Sequence, residues 1–338
     1  MENAAIQSDL IGNTPVLKVQ SLSELSGCEI FLKCESFNPG GSIKDRAAKK
    51  MVENAIERGD LRPGMTIVEG TAGNTGIGLA VIAKSLGYEM LAVMPKGQTI
   101  EKERMLTLFG ANLKLVDPVP FKDENHFYHT ARRLGEENEN YWWANQFENT
   151  DNFLAHYEHT GPEIVEQLNG KLDFFVCAAG TGGTIGGNSK YLKESIKNIK
   201  CYLVDPYGSG LHHFLENKEF QSSGTSITEG IGIMRETANF AKAELDGSFQ
   251  IEDSLHVSLA RYVRDHDGIV LGTSSAINLA AAFKLAIDNK HTNSKILTFM
   301  CDLGERSYSK MYNDNFLQEK GIEFNLKMSE IEKRLTAI

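Results

Sequence analysis

The sequence predicts an α/β fold made of two parallel sheets with helices on both faces of each sheet. Nearly continuous apolar runs, such as Asp173–Ala178 (DFFVCA) and Lys295–Cys301 (KILTFMC), alternate with longer helical segments. Strands that are apolar on both faces are typical of parallel sheets. The alternation occurs in both halves of the 338-residue chain, which is long enough for two subdomains. We therefore predict a smaller, mobile subdomain over residues 1–150 and a larger one over residues 151–338.

The first half begins with an irregular arm over residues 1–26, which has one strand at Val16–Val19 and is free to cross over to the second subdomain. Glycines that follow helical segments and Pro-Gly turns mark the ends of the helices. In chain order, these signals predict a strand at Glu29–Cys34, a helix at Ile43–Glu57, a strand at Thr66–Glu69, a helix from Gly73 to Leu86, a strand at Met90–Met94, a helix at Ile100–Phe109, a strand at Leu113–Val116, a helix at Glu124–Glu137 and a strand at Tyr141–Ala144.

The second half repeats the alternation, and its tail after Asn315 is predicted to form a surface helix. Its predicted elements are a helix at Asn152–Leu168, the strand at Asp173–Ala178, a helix opened by the loop Gly180–Gly187, a strand at Lys200–Val204, helices at Glu252–Asp265 and Ala276–Ile287, and the strand at Lys295–Cys301.

The composition excludes several classes of protein. A net charge of -10 argues against sequence-independent nucleic-acid binding, which needs a basic face. No apolar run approaches the ~20 residues of a membrane span, and the polar N-terminus does not resemble a signal peptide. The five cysteines lack CxxC spacing and the nine histidines lack metal-ligand spacing, so we expect reduced thiols, no metal site and a cytoplasmic location.

The segment Asn38–Arg46 (NPGGSIKDR) is the central feature of the sequence, because its tight turn leads directly into a helix. Ser42 is predicted to cap that helix, with Asp45 completing a capping box. Lys44 then lies on the first turn, where the helix dipole disfavours an ammonium and favours a neutral amine. A neutral lysine amine is what Schiff-base chemistry requires. The alternative is a solvated lysine beside an aspartate.

Three glycine-rich or hydroxyl-rich loops follow predicted strands, where ligands of open parallel sheets bind. Thr71–Gly76 offers backbone N–H groups and the Asn74 amide, although plain turn chemistry explains it equally well. Gly180–Thr184 opens a helix and could cradle a phosphate. Gly272–Ala276 offers hydroxyls that could bond a ring nitrogen, or could simply cap a helix through Ser274 or Ser275.

The Gly180 loop also permits a competing interpretation. Gly180, Gly182 and Gly186 approximate a dinucleotide fingerprint, and Asp205 ends the next strand. An NAD-dependent oxidoreductase is therefore the alternative outside the class that the motifs favour.

Five motifs, NPGGSIKDR, EGTAGNTGIGLA, GTGGT, EGIGIMRET and GTSSA, occur in a fixed order along the chain. In order and spacing they resemble the β-family (fold-type II) of pyridoxal-phosphate enzymes, above all the cysteine synthases (O-acetylserine sulfhydrylases) and the catalytic core of cystathionine β-synthase. The resemblance covers residues 8–313. It implies a tryptophan synthase β-subunit-like fold, with pyridoxal 5′-phosphate in the cleft between the two subdomains.

The resemblance also implies roles for individual residues. Lys44 would bond the cofactor covalently and transfer the proton. Asn74 would bond the phenolic oxygen of the cofactor, Ser274 would face its ring nitrogen, and its phosphate would be held by Gly180, Thr181, Gly182 and Thr184. The substrate carboxylate would be bound by Thr71, Gly73, Asn74, Thr75 and Gln146, and Gly230 would lie near the substrate amine. We expect the loop Thr71–Thr75 to contact only substrate and cofactor, and to be mobile until substrate arrives.

Two departures from the family pattern affect the substrate. Ala72 stands where many relatives have serine, and Met234-Arg235-Glu236 stands where many have small or aromatic residues. Arg235 and Glu236 could reach the cleft or form an exposed ion pair.

The resemblance implies a cytoplasmic, homodimeric cysteine synthase that uses O-acetyl-L-serine and sulfide or a thiol, with a serine acetyltransferase C-terminal tail as a candidate partner. A cystathionine-forming or cysteine-desulfurating enzyme is the alternative within the family. A catalytically inactive regulatory homologue is a third reading, against which the intact Lys44 argues.

Overall fold

The structure is a computed structural model that describes residues 5–71, 73–97 and 100–338. Up to residue 143 its strands and helices are, in chain order, β1 (Val16–Lys18), α1 (Gln20–Ser26), β2 (Glu29–Cys34), α2 (Lys44–Arg58), β3 (Thr66–Gly70), α3 (Asn74–Leu86), β4 (Glu89–Pro95), α4 (Ile100–Leu108), β5 (Asn112–Val116), α5 (Phe127–Glu137) and β6 (Tyr141–Trp143).

From residue 151 onward the elements continue with a helix that contains a π-helical turn at His156–Thr160, between α6 and α7. In chain order they are α6 (Asp151–Ala155), α7 (Gly161–Gln167), β7 (Phe174–Ala178), α8 (Gly183–Ser195), β8 (Lys200–Pro206), α9 (Leu211–Asn217), β9 (Gly247–Ile251), α10 (Asp253–Asp267), α11 (Thr273–Asp288), β10 (Lys295–Met300), α12 (Tyr308–Met311), α13 (Asp314–Glu319) and α14 (Met328–Thr336).

The strands form two sheets, and the predicted α/β architecture is confirmed. The four-stranded sheet has the order β5-β4-β3-β6 and is parallel throughout. The six-stranded sheet has the order β1-β2-β10-β7-β8-β9, in which only the β1–β2 pair is antiparallel. Because parallel neighbours need crossover connections, helices cover both faces of each sheet.

The apolar strands bury side chains on both faces, as their sequences predict. In β7, Val176 belongs to the core beneath α10 and α11, whereas Phe175 and Cys177 belong to the core beneath α7 and α8. In β3, Ile67 packs with α2 and α3, while Val68 packs toward α5. Burying one such side chain contributes about 1.5–3 kcal/mol, so this two-sided burial is a large part of the folding free energy.

The N-terminal strands lie in the six-stranded sheet, where β2 pairs in parallel with β10 at the far end of the chain. The helix that follows β2 then packs against α3 beside the four-stranded sheet. The chain therefore passes from one sheet to the other between Cys34 and Lys44, which places Lys44 between the two sheets. The division into subdomains near residue 150 stays a prediction.

Several elements differ from the prediction. Helices α1 and α9 and strand β9 were not predicted, because their sequences are short and mixed in polarity. The helix expected from Glu124 begins at Phe127. The tail after Asn315 is not one helix: it contains most of α13 and all of α14, and Leu317, Ile331 and Leu335 on these helices are buried against the core around α10 and α11. None of the helices in the described part of the chain is long and apolar enough to cross a membrane.

Candidate active site

The loops at the carboxyl ends of β3, β7 and β10 surround a cavity of about 830 Å³ between the two sheets. Every residue that the sequence predicted for the site lines this cavity, although the role of each stays a prediction. They are Lys44, Thr71, Gly73, Asn74, Thr75, Gln146, Gly180, Thr181, Gly182, Thr184, Gly230 and Ser274. Ala72, the first departure from the family pattern, lies outside the described residues.

Lys44 is the first residue of α2, but the predicted capping box is wrong. The Ser42 hydroxyl accepts a hydrogen bond from the Lys44 backbone N–H at 3.3 Å, while the Asp45 carboxylate turns back and accepts from the Gly40 N–H. A Cβ at Gly40 would lie 2.5 Å from the Asp45 carboxylate, so only glycine allows this approach. Burial raises the pKa of Asp45 to about 7.

The loop Gly180–Thr184 leads into α8 with the geometry of an anion site. Gly182 has a left-handed φ of 88°, and a Cβ there would lie 2.5 Å from the backbone nitrogen of Phe240. A Cβ at Gly180 would lie 2.2 Å from the carbonyl oxygen of Gly230. The first N–H groups of a helix have no partner within it, and they carry the positive end of its dipole. These features fit a phosphate.

Behind this loop, a histidine orients the hydroxyl of Thr184. Nε2 of His156 lies 3.2 Å from Thr184 Oγ1, and Nδ1 lies 3.0 Å from Thr160 Oγ1. Complete burial lowers the pKa of His156 well below its usual value, so the imidazole is neutral. The π-helical turn that carries His156 and Thr160 interrupts the helix predicted at Asn152–Leu168.

The side-chain amides of Gln146 and Asn74 in the cavity form hydrogen bonds with other residues of the protein. Gln146 accepts from the Thr75 hydroxyl at 2.6 Å through its oxygen, and donates to Glu69 at 3.2 Å through its nitrogen. Asn74 donates to Asp302 Oδ2 at 2.7 Å. The expectation that residues 71–75 contact only ligands is therefore wrong, because Asn74 and Thr75 bond the protein itself.

Glu69, which orients Gln146, is fully buried at the end of β3. Burial raises the pKa of Glu69 to about 8, and its hydrogen bonds with Gln146 oppose that rise. Near neutral pH the protonated form of this carboxyl is therefore favoured.

Ser274 lies in the first turn of α11, which starts at Thr273 with no side-chain cap at Gly272. The alternative reading of this loop as a cap is wrong. The hydroxyl of Ser275 instead donates to the carbonyl oxygen of Asp302 at 3.0 Å and accepts from the Cys301 N–H at 2.9 Å. Ser274 thus faces the cavity beside a firmly held end of β10.

Arg235 forms an ion pair that is partly buried, because aromatic rings surround its guanidinium. It bonds Glu148, and its guanidinium carbon lies 5.2 Å from the ring centroid of Phe147 and 5.7 Å from that of Tyr128. Phe121 provides a third ring at 5.6 Å. Such cation–π contacts fasten the loop after Gly230 to the segment that carries Gln146.

Sequence reasoning missed several charged residues that also line the cavity. Glu229 accepts hydrogen bonds from Lys102 at 2.8 Å and from Lys310 at 2.7 Å. The sequence could have identified Asp302 as a site residue, because it directly follows the buried strand β10 and ligands bind at the carboxyl ends of parallel strands. The missed charged residues are Lys102, Arg104, Glu229, Asp302, Glu305 and Arg306.

The position of Asp205 argues against the alternative of a dinucleotide-binding site, which needs an acidic residue at the end of this strand. Asp205 is fully buried, and its carboxylate accepts from the His212 N–H at 2.9 Å at the start of α9. Burial raises the pKa of Asp205 to about 6. Because Asp205 is fully buried and does not line the cavity, its carboxylate is not placed to bond the ribose of a dinucleotide.

A family model described as "Pyridoxal-phosphate dependent enzyme" matches residues 7–302. The chain belongs to this family. It is 44% identical to "Cysteine synthase 2" of Schizosaccharomyces pombe, over 93% of this chain and 85% of that protein. It is 45% identical to "Cysteine synthase 1" of Neurospora crassa, over 92% of this chain and 84% of that protein.

Solved structures agree with the family. The structure of O-acetyl serine sulfhydrylase isoform 3 from Entamoeba histolytica superposes with a TM-score of 0.84 at 33% identity, covering 98% of this chain and 96% of that one. The predicted resemblance and the fold-type II architecture are thereby confirmed.

The residues present fit the cofactor of the family. The cradle at the start of α8 is closed to any side chain larger than that of glycine at Gly180 and Gly182, and it offers backbone donors to a phosphate. Lys44 supplies an amine, and Asn74 and Ser274 supply polar groups in the same cavity.

Proposed function

We propose that the protein makes L-cysteine from O-acetyl-L-serine and sulfide, in a β-replacement that depends on pyridoxal 5′-phosphate. The observation that carries this proposal is one cavity that combines a lysine, a phosphate cradle and two oriented amides. The names of the curated relatives support the same reaction.

In this proposal the cofactor is held at three points. Gly180, Thr181, Gly182 and Thr184 bind its phosphate through backbone N–H groups and hydroxyls. Asn74 donates to its phenolic oxygen, and Ser274 faces its ring nitrogen. A neutral hydroxyl at the ring nitrogen makes a weaker electron sink than a carboxylate would, which favours β-elimination over transamination.

The substrate amino acid is bound in the same cavity, next to the phosphate cradle. Gly230 lies near the amine of the amino acid, beside Gly180. Its carboxylate is bound by five residues that line the cavity, Thr71, Gly73, Asn74, Thr75 and Gln146. Before substrate arrives, the Gly73 N–H bonds the Thr71 hydroxyl and the Thr75 hydroxyl bonds Gln146. Because Thr75 and Glu69 fix the Gln146 amide, its second N–H is available to a carboxylate oxygen.

Lys44 performs the proton transfers. When bound, pyridoxal phosphate supplies the electron sink that stabilises negative charge at Cα. Lys44 would hold the cofactor through its amine, and with substrate bound that amine would take the Cα proton as acetate leaves Cβ. Hydrosulfide adds to Cβ and Cα regains a proton, so the reaction converts O-acetylserine and hydrosulfide into cysteine and acetate.

The proposal places a homodimer of this chain in the cytoplasm, with the C-terminal tail of a serine acetyltransferase as a candidate partner. The five cysteines form no disulfide, and burial raises the pKa of Cys34 to about 11, which keeps it an unreactive thiol. Sedimentation of the purified protein, alone and with a synthetic acetyltransferase tail peptide, tests both assemblies.

A substrate panel tests the proposed reaction. Purified holoenzyme is given O-acetyl-L-serine, L-serine or L-cysteine, each with sulfide or homocysteine, and the amino-acid products are quantified. We expect the highest kcat/KM for O-acetyl-L-serine with sulfide. Turnover of serine or cysteine but not of O-acetylserine would instead place the chain in the cystathionine-forming or desulfurating branch.

A further inference from the structure

The Asn74 carboxamide is bonded by two charged residues that come from the other side of the cavity. Asn74 begins α3 beside the four-stranded sheet, whereas Asp302 and Arg306 follow β10 of the six-stranded sheet. Asn74 Nδ2 donates to Asp302 Oδ2 at 2.7 Å, and Asn74 Oδ1 accepts from Arg306 Nη1. We propose that Asp302 and Arg306 are positioning residues that fix the orientation of the Asn74 amide, so that its second N–H is presented to the cofactor.

The chemistry of the two partners permits only one orientation. A guanidinium only donates hydrogen bonds, and a carboxylate only accepts them. Arg306 therefore requires the carbonyl oxygen of Asn74, and the amide nitrogen then faces Asp302, whose pKa burial raises while the bond from Asn74 and the charge of Arg306 lower it. If the amide rotated by 180°, both hydrogen bonds would be lost. The guanidinium of Arg306 would then face the NH2 group, which is also a donor, and the carboxylate of Asp302 would face the carbonyl oxygen, which is also an acceptor.

The fixed amide leaves one donor for a ligand. The Asn74 nitrogen carries two hydrogens, of which one goes to Asp302, and the second has no partner among the described residues. Asn74 lines the cavity, so this N–H suits an anionic oxygen such as the phenolic oxygen of the cofactor. The inference rests on the proposed cofactor role of Asn74.

Asp302 and Arg306 are themselves held in place. Arg306 Nη2 donates to the carbonyl oxygen of Gly40, in the turn that leads to Lys44. The Asp302 side chain is buried, and the Ser275 hydroxyl bonds its backbone carbonyl. Gln146 is also bonded at both ends, since its oxygen accepts from Thr75 and its nitrogen donates to Glu69, but a hydroxyl and a protonated carboxyl can each donate or accept. A preorganised donor loses little by reorganisation when the ligand binds.

The test replaces the acceptor Asp302 and the donor Arg306 by side-chain amides, which can both donate and accept hydrogen bonds. The variants are Asp302→Asn, Arg306→Gln and the two combined, and Arg306→Lys is the conservative variant that remains a pure donor. The matched control is Asp265→Asn with Arg264→Gln, an exposed ion pair on α10. The readouts are the absorbance spectrum of bound pyridoxal phosphate and its dissociation constant, neither of which requires turnover.

We expect the double variant to shift the absorbance maximum of the bound cofactor and to weaken its binding about tenfold, as the loss of one hydrogen bond to a charged group implies. Arg306→Lys and the control should keep the wild-type spectrum. In an Asn74→Ala background, Asp302→Asn and Arg306→Gln should cause no further spectral shift, because they act through Asn74.

Two results overturn the inference. One is a wild-type spectrum and cofactor affinity in the double variant. The other is a shift that is equally large with and without Asn74, which would mean that the two residues act through general structure. Failure of the proposed function looks different, because the wild-type protein would then fail to give a cofactor spectrum or would fail to turn over O-acetylserine.

Discussion

Two side-chain amides in the cavity are oriented by hydrogen bonds to both their oxygen and their nitrogen. Thr75 and Glu69 hold Gln146, and Asp302 and Arg306 hold Asn74. Each amide then has one N–H without a partner among the described residues, which we propose bonds an oxygen of a ligand. At the scale of single residues, the orientation of the two amides therefore depends on Glu69, Asp302 and Arg306, to which we assign no contact with the substrate.

Replacing Lys44 by alanine should abolish turnover and leave cofactor binding measurable. The phosphate cradle at the start of α8 is independent of the lysine, but proton transfer and covalent attachment are lost, so we expect kcat to fall by several orders of magnitude. Cysteine formation and cofactor binding are measured side by side. The control is Lys50→Ala: Lys50 lies on the same helix as Lys44 and pairs with Glu158 of the π-helical turn. A Lys44→Ala enzyme that kept a tenth of the wild-type kcat would remove this lysine from the mechanism.

Glu69 should make the stability of the protein depend on pH. Its pKa is about 8 when folded and near 4.5 when unfolded, so the folded state keeps a proton that the unfolded state releases between these values. The free energy of unfolding should therefore fall as the pH rises from about 4.5 to about 8. Glu69→Gln should flatten this dependence in urea unfolding at a series of pH values.

The exposed Glu57 provides the control for that experiment, as Glu57→Gln should leave the slope unchanged. Asp45 and Asp205, whose pKa values burial also raises, should keep part of the slope in the Glu69→Gln variant. An identical slope in wild type and Glu69→Gln would show that Glu69 is ionised in the folded protein.

At the scale of secondary-structure elements, the site is built from turns that join strands to helices. The turn from β7 into α8 depends on Gly182, which is left-handed and in close contact with the backbone of Phe240. The turn into α2 depends on Gly40 and its contact with Asp45. These turns aim helix N-termini and Lys44 at one cavity.

Gly182→Ala should weaken cofactor binding as well as stability. Gly268 is the matched control, because it is also left-handed at a helix end but has open space around it. Both alanine variants incur the cost of a left-handed conformation, about 1 kcal/mol, and so should melt a few degrees lower. Only Gly182→Ala should raise the dissociation constant of pyridoxal phosphate, by about tenfold or more. Equal cofactor affinity in the two variants would contradict the role of this turn.

The sequence predicted the elements whose signals are local. A few consecutive residues are enough to predict apolar strands such as β7 and β10 and glycine-rich loops such as Gly180–Thr184. Strand β9 (GSFQI) was missed because its polarity is mixed. The bond from Asn74 to Asp302 joins residues 228 positions apart, and no local pattern encodes such a contact. The pairing partner of Arg235 was unpredictable for the same reason.

At the scale of the whole molecule, a buried ion network joins the elements that lead to Lys44. Glu163 on α7 bonds Lys33 at 2.6 Å and Arg46 at 2.7 Å, and Arg46 bonds Glu35 at 2.6 Å. These contacts connect β2, α2 and α7. The network therefore fixes the passage of the chain from the six-stranded sheet to the four-stranded one.

Glu163→Gln should destabilise the protein by about 3–5 kcal/mol, because it leaves the buried Lys33 without the carboxylate it pairs with and leaves Arg46 paired with Glu35 alone. Arg46 and Lys33 lower the pKa of Glu163 to about 2 despite its burial, so the stabilisation it gives is present at neutral pH and is lost as the pH falls from about 4.5 toward 2. Chemical denaturation at pH 7 measures the loss, with the surface variant Asp265→Asn as the control. A midpoint like that of wild type would show that the network contributes nothing to stability.

The central claim is that this cavity eliminates acetate from O-acetyl-L-serine and then adds sulfide to the same bound substrate. The most direct test follows the absorbance of the holoenzyme when O-acetyl-L-serine is added without sulfide, and then when sulfide is added. We predict that O-acetylserine alone shifts the cofactor band and releases one acetate per site, and that sulfide restores the original band and releases cysteine. An unchanged spectrum with O-acetylserine, together with a ready response to serine or cysteine, would contradict the claim.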